Sequence, residues 1–290
     1  MKPQAYTIRD FNRDFPTDDA CLEYIRQERW PDGIYCQRCE VVTKHHRVRG
    51  RTAYACDRCG HHIYPLAGTI FEKTTTPLRY WFHAMFLMGS TRCGISAKQL
   101  ERETGVTYKT AWRMFNRIRS LLCDDEGQLG GTVEIDHTYI GGKRRGMGRG
   151  YIDNKAAVFG AVEREGRVRT AHVGTIRSHV NTPLIRKHVM PSALVYTEEG
   201  REFAKLGKRG YQHRRIQHDA KVYVLGDVHT NTIEGFWSLV KRGISGVYHA
   251  VSHKYLQDYL NEYAFRYNRR GSETPMFRAI LDRASATVDG

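Results

Sequence analysis

At 290 residues the chain can hold two domains, or one with small appendages, and can bury a sizeable core. Its 46 Lys and Arg against 31 Asp and Glu give a formal net charge of +15, which points to a polyanionic partner whose condensed counterions basic side chains displace. The sequence has no run of 18 apolar residues and a polar start, so no membrane association is expected and a cytosolic, reducing compartment is.

The first 30 residues predict one helix, from Asp18 or Asp19 to Glu28, with Leu22, Ile25 and Trp30 packing and no chemistry. A stronger signal follows at 31–72. Cys36-Gln-Arg-Cys39 and Cys56-Asp-Arg-Cys59 are two CxxC knuckles sixteen residues apart. Two tight turns of this kind close a tetrahedral, four-thiolate zinc site, structural because no coordination position stays open. Gly60 directly after the second pair suits a turn that needs positive φ, and the alternation between the pairs predicts a β-hairpin, hence a zinc ribbon. One of His45, His46, His61 and His62 could replace a cysteine, although exposed polar residues are the plainer reading.

Residues 73–124 read as helical. An apolar helix begins near Pro77, with Trp81, Phe82, Met85, Phe86 and Met88 as core. Then AKQLERETG breaks at Gly105 and a second helix starts after Val106 with Thr107 as cap, the pattern of a helix-turn-helix. Lys109, Arg113, Arg117 and Arg119 lie on or near that second helix, as a groove-reading helix requires.

From 125 the texture changes. TVEIDHTYI places Val133, Ile135 and His137 on one face and Glu134, Asp136 and Thr138 on the other. A basic, Gly-rich loop at 141–150 offers Lys143, Arg144 and Arg145 to a phosphate backbone or stays disordered. Two strands form a hairpin around Glu165-Gly166, a helix near 182–189 returns to the strand ALVYT, and 201–228 is mixed, with a strand-like KVYVLGD. In HTNTIEGFWSLVKR, Ile233, Phe236, Trp237 and Val240 form an apolar helix face, with Thr230 or Asn231 as cap. Glu234 and Lys241, seven residues apart, project to nearly the same side of it. A final helix carries a stripe of Tyr255, Leu256, Tyr259, Leu260, Tyr263 and Tyr267, and 276–290 reads as a tail.

Asp136 in a strand, Glu198 closing another and Glu234 on a helix are three carboxylates of the kind two Mg²⁺ or Mn²⁺ ions need. Around them, VEIDHTYIGGK, ALVYTEEG and above all the stretch from GDVHTNTIEGFWSLVKR to EYAFRYNRR resemble the catalytic domain of DDE transposases of bacterial insertion sequences. The ribbon places the resemblance in the zinc-ribbon-bearing group related to the Merlin elements. It implies an α/β architecture, a ribonuclease-H-like catalytic domain at 125–275 preceded by the ribbon and the helix-turn-helix-like domain. It further implies double-stranded DNA as partner, at element ends and target, a homodimer or higher assembly on it, and a place at the nucleoid. Metal-dependent nicking and attack of the freed 3′-hydroxyl on target DNA would be the reaction. By this resemblance Asp136 matches the first acid, Glu234 the third and Lys241 the basic residue seven positions on; Asn231, one turn earlier, is a rival third ligand.

One position departs from the pattern. Thr197-Glu198 stands where the family usually has Thr-Asp, and the extra methylene moves the carboxylate by roughly 1 Å, a displacement able to cost about 10²-fold in rate. The alternative reading is therefore an impaired or domesticated DNA-binding derivative. A zinc-ribbon transcription regulator accounts for only the N-terminal 130 residues.

Overall fold

A computed structural model of the chain describes residues 6–124, 127–141, 155–216 and 229–286. They divide into two compact units, Met1–Thr91 with Ala97–Leu121 and Ser272–Gly290, and Arg92–Ser96 with Leu122–Gly271.

The first unit opens with helices α1 (Ile8–Asp14) and α2 (Asp18–Arg29), each started by a threonine. The Thr7 hydroxyl accepts from the Asp10 N–H and that of Thr17 from Ala20. Five short strands make the ribbon: β1 (Ile34–Cys36) pairs with β2 (Val41–Thr43), while β3 (His45–Arg47), β4 (Tyr54–Cys56) and β5 (His62–Ile63) form a second antiparallel sheet. Helix α3 (Leu78–Ser90) begins directly after Pro77 and is apolar on most sides, burying Trp81, Phe82, Met85, Phe86 and Met88. Two further helices, α4 (Ala97–Thr104) and α5 (Tyr108–Ser120), flank a turn in which Gly105 takes φ +73° and the Thr107 hydroxyl caps α5.

The stretch 276–290, expected as a tail, differs: within it α9 (Met276–Ser285) is a helix buried through Phe277, Ile280, Leu281 and Ala284. Its Phe277 ring meets those of Phe11, Phe15 and Phe86, and a β-carbon at Gly89 would stand 2.8 Å from the Phe277 nitrogen. Such an approach of α3 to α9 is open only to a residue without a side chain. Local sequence does not show it, because α9's apolar face is short and its partners, Phe11, Phe15, Phe86 and Gly89, lie far upstream in the chain.

The second unit is a five-stranded sheet of β6 (Thr132–Ile140), β7 (Ala156–Glu163), β8 (Val168–Val173), β9 (Leu194–Glu198) and β10 (Gln212–Ile216), with helices α6 (Ser178–His188), α7 (Asn231–Gly243) and α8 (Leu256–Asn268). Strand order is β10-β9-β6-β7-β8; β9 runs parallel to β6 and to β10, while β7 runs antiparallel to both its neighbours. Alternation along β6 divides two cores. Val133 and Ile135 pack with Phe159, Ile185, Val195 and Phe203 on the α6 face. On the opposite face Val158, Val162 and Val168 meet Ile233, Trp237, Val240, Leu260 and Tyr263.

Two elements of this unit differ from expectation. Helix α6 starts at Ser178, four residues before the predicted start, and carries Pro183 inside it. Strand β10, QHRRI, lies in the stretch expected to be mixed, because charged residues at an edge conceal its period and one neighbour suffices. The strand-like KVYVLGD and the basic residues Lys143, Arg144 and Arg145 lie outside the described residues.

Candidate active site and metal centre

Four thiolates converge in the ribbon. Cys36 ends β1 and Cys56 ends β4, and each is followed by a tight turn that returns Cys39 and Cys59 toward it. Gly60 closes the second turn at φ +68°, as expected, and Glu40 takes the matching place in the first at φ +54°. Sulfur separations are 3.6 Å for Cys36–Cys59 and 3.9 Å for Cys39–Cys56, and all four lie within 4.8 Å of one another. Zinc–sulfur bonds of about 2.3 Å in a tetrahedron require sulfurs about 3.8 Å apart, so the cluster fits zinc. The histidines stand aside: His45 Nδ1 meets the Thr43 carbonyl and His46 Nδ1 the Asp57 carboxylate at 2.6 Å. Among the described residues the cysteines are the one group of three or more whose ligand atoms approach this closely.

The acids gather on the α7 face of the sheet. Asp136 is held by the Trp237 indole, whose Nε1 donates to Oδ2 at 3.1 Å. Burial pushes the Asp136 carboxyl up to about 7; the negative charges of Glu198 and Glu234 push the same way, against bonds from the His137 backbone and Trp237. Glu198 ends β9, whose register with β6 pairs Thr197 with Ile135 and brings the two acids side by side along the sheet. The Thr197 hydroxyl bonds the Glu198 carbonyl and, at 2.9 Å, His213 Nε2 on β10. Glu234 lies in the first turn of α7, exposed, and accepts from the Thr230 hydroxyl at 3.0 Å. Asn231 and Lys241 are exposed at the start and in the last turn of the same helix. Lys241 also opens onto a cavity of about 430 Å³ lined by Tyr139, Ser245, His249 and His253 and by no acid.

The expected apolar face of α7, Ile233, Phe236, Trp237 and Val240, is buried in full. Thr230 stands at its N-cap, one of the two positions expected, but makes no side-chain capping bond. Glu134 of β6 takes that place: its fully buried carboxylate accepts from the backbone N–H of Thr232 at 2.8 Å and of Ile233 at 3.1 Å. A cap separated from its helix by 98 residues leaves no local signal; the one clue is an acid on the inward face of a strand.

Room for Trp237 comes from Gly160, the residue of β7 paired with Asp136. A β-carbon there would run into the indole ring and crowd Ile233 Cδ1 at 3.1 Å. Gly160→Ala should therefore destabilise the unit by about 1–3 kcal/mol through overpacking and turn the indole away from Asp136. A thermal melt checks the first effect and tryptophan fluorescence the second.

On α5, Lys109 and Arg113 are exposed. Arg117 is exposed too, although its Nη1 also donates to the Ile70 carbonyl at 2.8 Å. Arg119 does not join them: it is buried, with its guanidinium 5.5 Å from the Phe115 ring. One residue on from Ile118, it sits at the border of the helix's inward face.

Comparison with known proteins matches both regions. Residues 128–268 match the family model of the ISXO2-like transposase domain, and residues 16–62 that of the transposase zinc-ribbon domain. An uncharacterized protein in transposable element ISH50 of Halobacterium salinarum is 31% identical over 294 residues, covering 93% of this chain and 98% of its own length. A transposase-like protein of Haemophilus influenzae is 28% identical over 102 residues, 35% of this chain and 81% of its own.

Proposed function

The chain belongs to the DDE-type transposases of insertion sequences, and from that membership we propose that it binds the ends of its element, nicks them and joins the freed 3′-hydroxyl to target DNA. The observation that carries this reading is the half-buried Asp136, whose proton affinity is raised first by loss of solvent and further by Glu198 and Glu234 from two other elements of the unit. Neighbouring carboxylates whose charges repel favour a cation between them, and oxygen donors suit Mg²⁺ or Mn²⁺. Such ions, when bound, would supply Lewis acidity at the phosphodiester. The chain's own residues do the rest. Trp237 orients Asp136, and Lys241 with its basic cavity receives a phosphate of the strand being cut. Water attacks phosphorus and the bond to the 3′-oxygen breaks; that hydroxyl then attacks a target phosphodiester and displaces the target's own 3′-oxygen.

The sheet order, with one antiparallel strand between two that run the same way, supports a ribonuclease-H-like fold for this unit. The α4–α5 pair, with Lys109, Arg113 and Arg117 outward, supports a helix-turn-helix that reads the element's ends. We read the acting form as a homodimer or larger assembly on DNA. Among the described residues no helix is long and apolar enough to cross a membrane.

A cleavage and strand-transfer assay on DNA carrying the element's terminal repeats, in Mg²⁺, tests the reading. This chain is expected to transfer strands and Glu234→Ala to fail; unchanged transfer by Glu234→Ala, with loss in Asn231→Ala, would move the third ligand to Asn231. Glu198 motivates a second reading, a DNA-binding derivative. Activity in Glu198→Asp alone would establish it.

A further inference from the structure

One carboxylate–guanidinium pair touches every element that carries an acid. Glu134 on β6 is wholly buried and accepts from Arg164 Nε at 2.8 Å. The same carboxylate accepts from the Thr232 and Ile233 N–H groups and from the Thr232 hydroxyl at 2.9 Å, all at the start of α7, and lies 3.3 Å from His229 Nδ1 just before it. Arg164, just past the end of β7, donates its Nη2 to the His229 carbonyl at 3.0 Å and lies 4.7 Å from the Tyr196 ring of β9. The register of β6 on β9 sets Glu134 opposite Tyr196.

The spacing is the same on all three elements. Glu134 stands two residues before Asp136, Tyr196 two before Glu198, and Thr232 two before Glu234. On the two strands two residues is one period, about 7 Å, so each contact and its acid point to the same face. We propose that the Glu134–Arg164 pair is the positioning device of the acid site, fixing the distance between the strand-borne acids and the one on α7. A Ser or Thr cap would start the helix equally well but would tie it only to itself. Glu134 ties it to the strand that carries Asp136. Stability alone does not call for such a pair, since apolar replacements of buried ion pairs are often neutral or stabilising, and registry is their best-attested use.

The inference rests on the acids being a metal site, and the test separates the two. Mn²⁺ binding to the full-length zinc-loaded protein is titrated by electron paramagnetic resonance for the parent, Asp136→Asn, Glu134→Gln, Arg164→Lys and Glu262→Gln. Glu262 is a control, a buried acid paired with Arg266 at 2.5 Å on α8, which carries none of the acids. Loss of an outer partner of a metal ligand typically costs about 10–100-fold in affinity, so Glu134→Gln and Arg164→Lys should weaken Mn²⁺ by that factor while Glu262→Gln does not. The Mg²⁺ concentration for half-maximal end cleavage should rise in step; a smaller folded fraction would lower the amplitude and leave that midpoint in place. Should Glu134→Gln fail to melt cooperatively, Arg164→Lys decides. Parent-like Mn²⁺ affinity in both variants, or equal weakening in Glu262→Gln, overturns the positioning role. If Asp136→Asn binds Mn²⁺ like the parent, the metal reading falls and takes this inference with it.

Discussion

Asp136→Asn is expected to leave binding of the element's ends within about twofold and to lower their cleavage by on the order of 10³-fold or more, the scale seen when a member of a cooperating catalytic set is removed. Asparagine keeps an oxygen for the Trp237 indole, so the packing on α7 survives, while the charge that Glu198 and Glu234 crowd is gone. The same substitution should stabilise the fold. An acid raised from 3.8 to about 7 by burial costs nothing below its unfolded pKa, and its cost grows through that window and is complete above about 7. In buffer without added divalent ions the variant should therefore melt above the parent at pH 8 and with it at pH 3.5. Gel-shift, nicking and melting experiments on one preparation check all three. Full nicking activity in the variant would remove Asp136 from the site.

Removal of zinc, or Cys56→Ser, is expected to unfold the ribbon and abolish end binding. The ribbon's strands are only two or three residues long, and much of β2 and β3 is exposed. Burial on that scale does not order a chain, whereas a four-thiolate site contributes on the order of 10–16 kcal/mol. One Zn²⁺ per chain should be found at the cluster, and Co²⁺ in its place should show thiolate-to-metal charge transfer. Stripping the metal should expose 37–63 to protease while the five-stranded sheet of the second unit stays resistant. A ribbon that resists protease without zinc would contradict the structural role of Cys36, Cys39, Cys56 and Cys59.

The two sites were legible to different depths. The thiolate cluster could be read from spacing because both halves are closed by turns of four residues, and the chain need only bring two knuckles together. The apolar face of α7 was equally plain from its period. The acids were another matter. Asp136, Glu198 and Glu234 share no period and no short spacing, so their grouping rests on their places at strand ends and on one helix and on family resemblance, while the register of β6 on β9 and the packing of α7 set the elements that carry them side by side.

What the chain specifies locally, by period, turn residue and ligand spacing, is the ribbon with its four thiolates, the capped helices, the alternating strand β6 and the basic outward row of α5. What only the tertiary structure decided is which distant groups complete these parts. Glu134 starts a helix 98 residues away, Gly160 makes room for the indole that holds Asp136, α9 joins the first unit, Arg119 turns inward, and β10 becomes a strand by pairing with β9. The physical reason is the range of the forces involved. Backbone preference and side-chain period act over a few residues, whereas a buried carboxylate, a close backbone approach and an edge strand are satisfied only by partners that folding delivers.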